Sequence, residues 1–158
     1  MIEYRKGNLL EQSDINVIIH NCNIFCNFGA GIAKQIAIKY PEAFEADKAT
    51  KYGDQSKIGM FSRAPTKDRK WIVNAYAMKG IGREQRQTDY EALYSILEKM
   101  RDTQYGNFYF TGVKTIVFGV PNMIGCGLAG GSEEIVKAML NHLWGKSNGK
   151  LVVVDFNS

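Results

Sequence analysis

Long apolar runs and paired cysteines are both missing from this sequence of 158 residues. No stretch reaches eighteen consecutive apolar residues, which excludes a transmembrane helix by length. The opening residues "MIEYRKGNLL" lack the long apolar segment of a secretory signal. The three cysteines are an odd number in a mid-sized chain, which favours a reducing compartment over a disulfide framework. These absences predict a cytoplasmic protein with no membrane partner.

A strong charge of either sign is missing as well. The 20 basic side chains exceed the 16 acidic ones by only four, and they are dispersed along the chain. The densest basic run is "TKDRK" (66–70), which we interpret as a solvated loop. The sequence therefore gives no strong nucleic-acid signal. Its length predicts a single domain, 1–158, that is able to bury a normal core.

A zinc-binding pattern is absent too. His20, Cys22 and Cys26 lie close together in the sequence, and Cys126 comes much later. The spacing forms no paired C-x-x-C framework, so these residues are interpreted as structural or pocket-lining rather than as zinc ligands. The sequence predicts neither a metal nor a cofactor.

Short apolar runs alternate with amphipathic patterns along the chain. Strands are predicted from the runs "MIEY" (1–4), "INVIIH" (15–20), "KWIVNAYAM" (70–78), "KTIVFGV" (114–120) and "KLVVVDF" (150–156). Helices are predicted over 31–40, 41–53, 88–102 and from Ser132 onward. Thr88 is the predicted N-cap of the third helix, with Glu91 completing a capping box. This alternation predicts a three-layer α/β/α domain with a central mixed, largely parallel sheet.

Two glycine-rich turns follow predicted strands and precede predicted helices. They are "NFGAGIA" (27–33) and "GVPNMIGCGLAGGSEE" (119–134). In such sheets ligands collect beyond the carboxyl ends of the strands, and the N–H groups at a helix start bind anions. Two facing turns would suit a diphosphate, whereas tight strand-to-helix packing is the alternative. Neither turn fits the Walker, G-x-G-x-x-G or G-x-S-x-G patterns, which disfavours a kinase or a serine hydrolase.

Three segments together resemble the macro domain family, whose members bind ADP-ribose. They are "KGNLL" (6–10), "IIHNCNIFCNFGAGIAKQIAIKYP" (18–41) and "VPNMIGCGLAGG" (120–131). The resemblance covers nearly the whole chain. It is strongest to the branch that contains ADP-ribose 1''-phosphate phosphatases and terminal ADP-ribose glycohydrolases. It implies a mixed sheet between helices with a ligand cleft at the crest of the sheet.

The resemblance also implies a set of ligand-binding residues. Asn8 stands where the family usually has an aspartate that accepts from the adenine amino group, and its side-chain carbonyl can accept the same bond. Asn23 matches the asparagine that contacts the distal ribose. The full implied set is Asn8, Leu9, Asn21, Asn23, Gly29, Ala30, Gly31, Ile32, Gly125, Cys126, Gly127, Leu128, Ala129 and Gly130.

Three residues are candidates for catalysis: His20, Asn23 and Lys79. His20 could act as a general acid or base at the end of its strand, or it could instead fix the loop through hydrogen bonds. Asn23 would position the ribose or a water. Lys79 stands at the position of the glycohydrolase lysine, but Ala129 replaces the aspartate expected with it and cannot transfer a proton.

Four functions remain open on the sequence. The favoured one is hydrolysis of the phosphate of ADP-ribose 1''-phosphate. The others are non-catalytic binding of free or protein-linked ADP-ribose, glycohydrolysis of ADP-ribosylated protein or nucleic acid, and binding of another adenylated or phosphorylated small molecule. The expected partners are accordingly ADP-ribose, ADP-ribose 1''-phosphate and ADP-ribosylated macromolecules.

Overall fold

The computed structural model describes residues 1–80, 87–102, 115–126 and 129–156. Within them the chain forms six strands and four α-helices, with two short 3-10 turns at Leu9–Glu11 and Gln55–Lys57. The strands are β1 (Ile2–Lys6), β2 (Val17–Asn23), β3 (Phe61–Pro65), β4 (Trp71–Met78), β5 (Val117–Pro121) and β6 (Lys150–Asp155). The helices are α1 (Gly31–Lys39), α2 (Pro41–Lys48), α3 (Tyr90–Asp102) and α4 (Glu133–Trp144). No helix in these ranges is long and apolar enough to cross a membrane.

The six strands form one sheet in the order β1-β6-β5-β2-β4-β3. All neighbours are parallel except β3, which runs antiparallel to β4 at the edge. The parallel strands β2, β5 and β6 are almost wholly buried, because helices cover both faces of the sheet. The predicted three-layer α/β/α architecture with a mixed, largely parallel sheet is confirmed.

The two faces of the sheet belong to two separate apolar cores. Val17 and Ile19 of β2 pack in the core that contains Leu93 of α3 and Leu140 of α4. Ile18 and Cys22, which alternate with them along the strand, pack in the core on the α1 and α2 side. The direction of each β2 side chain therefore follows from this alternation.

Three local predictions differ from the structure. Strand β3 was not expected, because "FSRAP" carries only a weak apolar signal, and as an antiparallel edge strand it can end in Pro65. The predicted helix over 41–53 ends at Lys48. The prediction of Thr88 as N-cap is wrong, because the Oδ1 atom of Asp89 accepts the bond from Ala92 N–H at 3.0 Å and α3 begins at Tyr90.

Candidate functional site

A cleft of about 650 Å³ opens where β2, β4 and β5 end. The end of β2 contributes Asn21, Cys22 and Asn23 to its lining, and the end of β4 contributes Met78. The remaining described lining residues are Asn27, Gly29, Ala30, Gly31, Ile32, Ala33, Pro121, Asn122, Met123, Ile124, Gly125, Cys126 and Ala129. The cleft thus lies between the two glycine-rich turns, at the edge of the sheet where the parallel strands carry their carboxyl ends.

The first loop, residues 23–30, is shaped by its own asparagines. The Oδ1 atom of Asn23 accepts from Phe25 N–H at 2.8 Å, and its Nδ2 atom donates to the Asn27 carbonyl at 3.1 Å. The Oδ1 atom of Asn27 accepts from Gly29 N–H at 2.7 Å. Asn23 is only 9% exposed, so its first role is to hold the loop in this conformation.

The N-terminus of α1 is open towards the cleft. Its N-cap is Ala30, which has no side-chain acceptor, and its first turn carries no acidic residue. Gly31 adopts a left-handed φ of +58°, and Ala30, Gly31 and Ile32 all line the cleft. The first N–H groups of a helix have no intrahelical acceptor, so this end of α1 can receive an anion.

The N-terminus of α4 differs from that of α1. The hydroxyl of Ser132 accepts from Ile135 N–H at 3.5 Å, and Glu133 and Glu134 occupy the first turn. These carboxylates already complement the helix dipole and would repel an anion. The second glycine turn therefore contributes to the cleft through its loop and not through the helix that follows it.

The second loop, residues 121–131, is held by close backbone contacts. The N–H of Cys126 donates to the Met123 carbonyl at 2.8 Å, and that of Gly131 donates to the Gly125 carbonyl at 3.0 Å. Gly125 has a φ of +75°, and a Cβ atom on Gly131 would lie 2.3 Å from the Gly125 oxygen. Both positions require glycine for this path of the chain.

A segment between β4 and α3, which we call the clip (87–89), packs behind the second loop. The N–H groups of Gln87 and Thr88 donate to the Ala129 carbonyl at 2.8 and 3.1 Å. The Thr88 hydroxyl donates to the Gly125 carbonyl, and Thr88 is only 1% exposed. The clip therefore fixes residues on both sides of Gly127 and Leu128, which lie outside the described residues.

His20 lies away from the cleft. Its side chain points into the core on the α1 and α2 side, is fully buried, and has Nε2 at 2.7 Å from Oδ1 of Asn74. Burial lowers the pKa of His20 to about 4, and the hydrogen bond with Asn74 only partly opposes this shift. The expectation that His20 faces the ligand as an acid or base is not met, because its ring is fully buried beneath Cys22, which points to the same face of β2 and lines the cleft.

Lys79 lies outside the described lining of the cleft. Its Nζ atom is 3.7 Å from Oδ2 of Asp89, and 61% of its side chain is exposed. Ala129, which replaces the expected acid, does line the cleft. The described lining contains no lysine, arginine, aspartate or glutamate.

The three cysteines are free thiols. Cys22 and Cys126 line the cleft, and burial raises the pKa of each thiol above its usual range. A protonated thiol is a poor nucleophile and a poor metal ligand. The described residues contain no group of three or more potential metal-ligating side chains.

Most of the expected ligand-binding residues come together in this cleft. Asn21, Asn23, Gly29, Ala30, Gly31, Ile32, Gly125, Cys126 and Ala129 all line it. Gly130, with a φ of +74°, belongs to the second loop but does not line the cleft. The predicted ligand-binding set did not include Cys22, Asn27, Ala33, Met78 and the run from Pro121 to Ile124, which directly extend the predicted turns and strand ends.

Asn8 and Leu9 stand apart from the described lining. The side-chain oxygen of Asn8 caps the 3-10 turn by accepting from Leu10 N–H at 2.9 Å. Leu9 is 3% exposed and packs in the core on the α1 and α2 side. The expected adenine contact of Asn8 would have to compete with this cap.

Sequence comparison finds related proteins, although no family model matches the chain. An uncharacterized 17.5 kDa protein from the tk-vs intergenic region of Enterobacteria phage T4 is 26% identical over 161 residues, which cover 99% of this chain and 97% of the phage protein. An ADP-ribose 1''-phosphate phosphatase from Saccharomyces cerevisiae is 42% identical over 55 residues. That match covers 33% of this chain and 31% of the phosphatase.

Solved structures match over the full length of the chain. A macrodomain protein from Streptomyces coelicolor has a TM-score of 0.75 at 19% identity and covers 99% of this chain and 100% of its own. The macrodomain of Mycobacterium tuberculosis DarG has a TM-score of 0.74 at 22% identity and covers 100% and 99%. The chain has the macrodomain fold.

One further matching structure contains a ligand. Thermosipho africanus DarTG, solved in complex with ADP-ribose, matches with a TM-score of 0.70 at 15% identity and covers 97% of this chain and 41% of its own. The resemblance in the three sequence segments is thus confirmed at the level of the macrodomain fold.

Proposed function

We propose that this protein binds ADP-ribose in the macrodomain cleft. The observation that carries the proposal is the open N-terminus of α1, which faces the second loop across a cleft of about 650 Å³. The volume is within the range of small-molecule sites. The DarTG complex, which has the same fold, supports ADP-ribose as the ligand.

Neutral groups would hold the diphosphate in this cleft. The main-chain N–H groups of Gly31 and Ile32 at the start of α1 are suited to phosphate oxygens, and the helix dipole adds a favourable field. Glycine at position 31 lets the phosphate approach the backbone closely. Carboxamides and apolar side chains supply the rest of the described lining, which suits a nucleotide sugar.

Calorimetric titration with ADP-ribose tests the proposal, with AMP as the control ligand. We expect saturable binding of ADP-ribose that is at least about tenfold tighter than that of AMP, a difference of about 1.4 kcal/mol. Absence of heat at high micromolar ADP-ribose, from a protein with a cooperative melting transition, would refute the proposal.

Hydrolysis of ADP-ribose 1''-phosphate is the second candidate function. The local 42% identity to the yeast phosphatase favours it. His20 is fully buried and does not line the cleft, so Asn23 is the remaining candidate to position a ribose or a water. Release of inorganic phosphate from ADP-ribose 1''-phosphate would support this activity, provided that Asn23→Ala abolishes it and His20→Gln retains it. Binding without phosphate release would leave ADP-ribose binding as the function.

A further inference from the structure

Lys57 is a buried lysine that contacts the first loop from outside the lining of the cleft. It is the last residue of the 3-10 turn Gln55–Lys57 and is only 7% exposed. Its Nζ atom donates to the Ile24 carbonyl at 2.8 Å and to the Thr50 hydroxyl oxygen at 2.9 Å, and it lies 5.0 Å from the centre of the Tyr76 ring. Lysines are rarely buried in this way, because an ammonium that leaves water needs other partners for its charge.

The Ile24 carbonyl attaches the first loop to the core on the α1 and α2 side. It accepts from the Lys57 ammonium and also from Gly53 N–H at 2.8 Å, so both of its lone pairs are used. Two residues further on, the Sγ atom of Cys26 lies 3.5 Å from the Asp47 carbonyl oxygen and 3.9 Å from the Lys57 Nζ atom. Two residues of the first loop are therefore fixed to α2 and to the segment that follows it.

The loop that Lys57 contacts leads directly into the proposed phosphate site. Residues 23–30 carry no charged side chain, so the bond from Lys57 supplies a charge-assisted contact that the loop itself lacks. The members of the loop that line the cleft are Asn23, Asn27, Gly29 and Ala30, and α1 begins at the next residue, Gly31. The position of the N–H groups that are suited to an anion therefore depends on the path of this loop.

We propose that Lys57 is a positioning residue for the diphosphate of ADP-ribose. It acts through the Ile24 carbonyl, which it holds so that the first loop keeps the start of α1 open towards the cleft. The ammonium does not touch the ligand. The inference rests on the proposed function and adds a residue that determines the affinity of the phosphate site without lining it.

Two lysine-to-methionine variants test this role. Lys70 is a second buried lysine, 6% exposed, whose Nζ atom donates to the carbonyls of Gln12 and Ile15 at 2.5 and 2.6 Å. These contacts precede β2 and β4, at the opposite end of the two strands from the cleft. Methionine keeps the length of the side chain and removes the ammonium. Calorimetry should show an ADP-ribose affinity about tenfold lower in Lys57→Met and within about twofold of the wild type in Lys70→Met. ADP carries the same diphosphate, so its affinity should fall by the same factor.

Hydrogen exchange of the first loop provides a readout that a general loss of stability would not move. The N–H groups of Phe25 and Gly29 donate to the side-chain oxygens of Asn23 and Asn27 within the loop. In Lys57→Met they should exchange at least about tenfold faster than in the wild type, while the amides of β2 remain protected. Saturating ADP-ribose should restore the protection of the loop. In Lys70→Met the loop should exchange as it does in the wild type.

A milder pair of variants at Thr50 carries the test if Lys57→Met does not fold. The Thr50 hydroxyl donates its one hydrogen to the Asp47 carbonyl at 2.5 Å, so it accepts from Lys57. Thr50→Val removes this acceptor and should lower the ADP-ribose affinity about threefold, whereas Thr50→Ser keeps the hydroxyl and should keep the wild-type affinity.

The outcomes separate this inference from the proposed function. Wild-type ADP-ribose affinity in Lys57→Met, or in Thr50→Val where Lys57→Met does not fold, would overturn the inference alone. An equal loss of affinity in Lys57→Met and Lys70→Met would also overturn it, because both lysines would then act through stability. Failure of the wild-type protein to bind ADP-ribose would overturn the proposed function, and the hydrogen-exchange comparison would still decide whether Lys57 holds the loop.

Discussion

The Nε2 atom of His20 lies 2.7 Å from the Oδ1 atom of Asn74, and both side chains are fully buried. The Nδ2 atom of Asn74 donates to the Ala43 carbonyl and to the Ser62 hydroxyl, both at 3.0 Å. Its Oδ1 atom is therefore the acceptor, and His20 must carry its proton on Nε2. A neutral histidine in this tautomer links β2 to β4 beneath the cleft.

This pair predicts a pH-dependent stability. Burial holds the pKa of folded His20 at about 4, below its ordinary value of 6.5, so the unfolded chain binds a proton in this range that the folded chain does not. The free energy of unfolding should therefore rise with pH from about 4 to about 6.5, by on the order of 3 kcal/mol. Urea unfolding measured across this range checks the slope.

His142, which is exposed on α4, provides the matched control for His20. His142→Gln should keep the slope, whereas His20→Gln should flatten it because no buried imidazole remains to be charged. A slope that persists in His20→Gln would mean that another group causes it. Retained ADP-ribose binding in this variant would agree with the position of His20 outside the cleft.

Gly31→Glu should abolish high-affinity ADP-ribose binding. The new carboxylate would lie at the open start of α1 and occupy the position of an anionic ligand. We expect the affinity to fall by more than about tenfold, measured by calorimetry.

Gly59→Glu separates backbone strain from this effect. Gly59 has a φ of +89° and, like Gly31, has open space where a Cβ atom would lie, but it does not line the cleft. Both variants should lose about 1–2 kcal/mol of stability through the left-handed conformation. An equal loss of ligand affinity in both would show that the effect is not local to the cleft.

Gly131→Ala should distort the second loop. The new Cβ atom would lie 2.3 Å from the Gly125 carbonyl oxygen, which is main chain and cannot rotate away. We expect a loss of about 1–3 kcal/mol in the free energy of unfolding, together with weaker ADP-ribose binding. In Gly29→Ala the nearest atom is the side-chain oxygen of Asn27 at 2.8 Å, which can move, so its loss of stability should be smaller. The reverse order of the two variants would contradict the described path of the loop.

Lys79→Ala should leave ADP-ribose affinity within about twofold of the wild type. Lys79 is largely exposed and pairs with Asp89, and exposed ion pairs contribute little to stability. Calorimetry and thermal melting check both expectations. Loss of a glycohydrolase turnover in Lys79→Ala, measured on an ADP-ribosylated substrate, would instead revive a nucleophilic role for this lysine.

The sequence predicted the alternation of strands and helices because those elements carry strong apolar patterns. It also located both glycine turns, since the turns follow apolar strands and interrupt the helical pattern. Strand β3 escaped prediction because its pairing with β4 depends on a distant partner and not on its own residues. Antiparallel pairing at a sheet edge leaves few requirements on composition.

The side-chain roles were harder to predict than the elements. His20 was correctly placed on a strand near the cleft, but its complete burial depends on Asn74 and Phe28, which pack against its ring. Thr88 fitted a capping pattern, yet its hydroxyl donates to the carbonyl of Gly125, 37 positions further along the chain. Asn8 has the side chain for a ligand contact, but its side-chain oxygen accepts a hydrogen bond from Leu10 N–H. For His20 and Thr88 the difference arose from a tertiary contact that the local pattern does not contain.

Strand β6 has a consequence for how the protein is made. It pairs with β1 on one side and with β5 on the other, so the earliest of the six strands to be synthesised is joined to the sheet through the latest one. While residues 150–155 of a nascent chain are still inside the ribosome, the sheet cannot close. Strand β1 then has no partner strand to pair with. A stop codon before Lys150 would accordingly abolish native folding, although the residues that line the cleft would all have been translated.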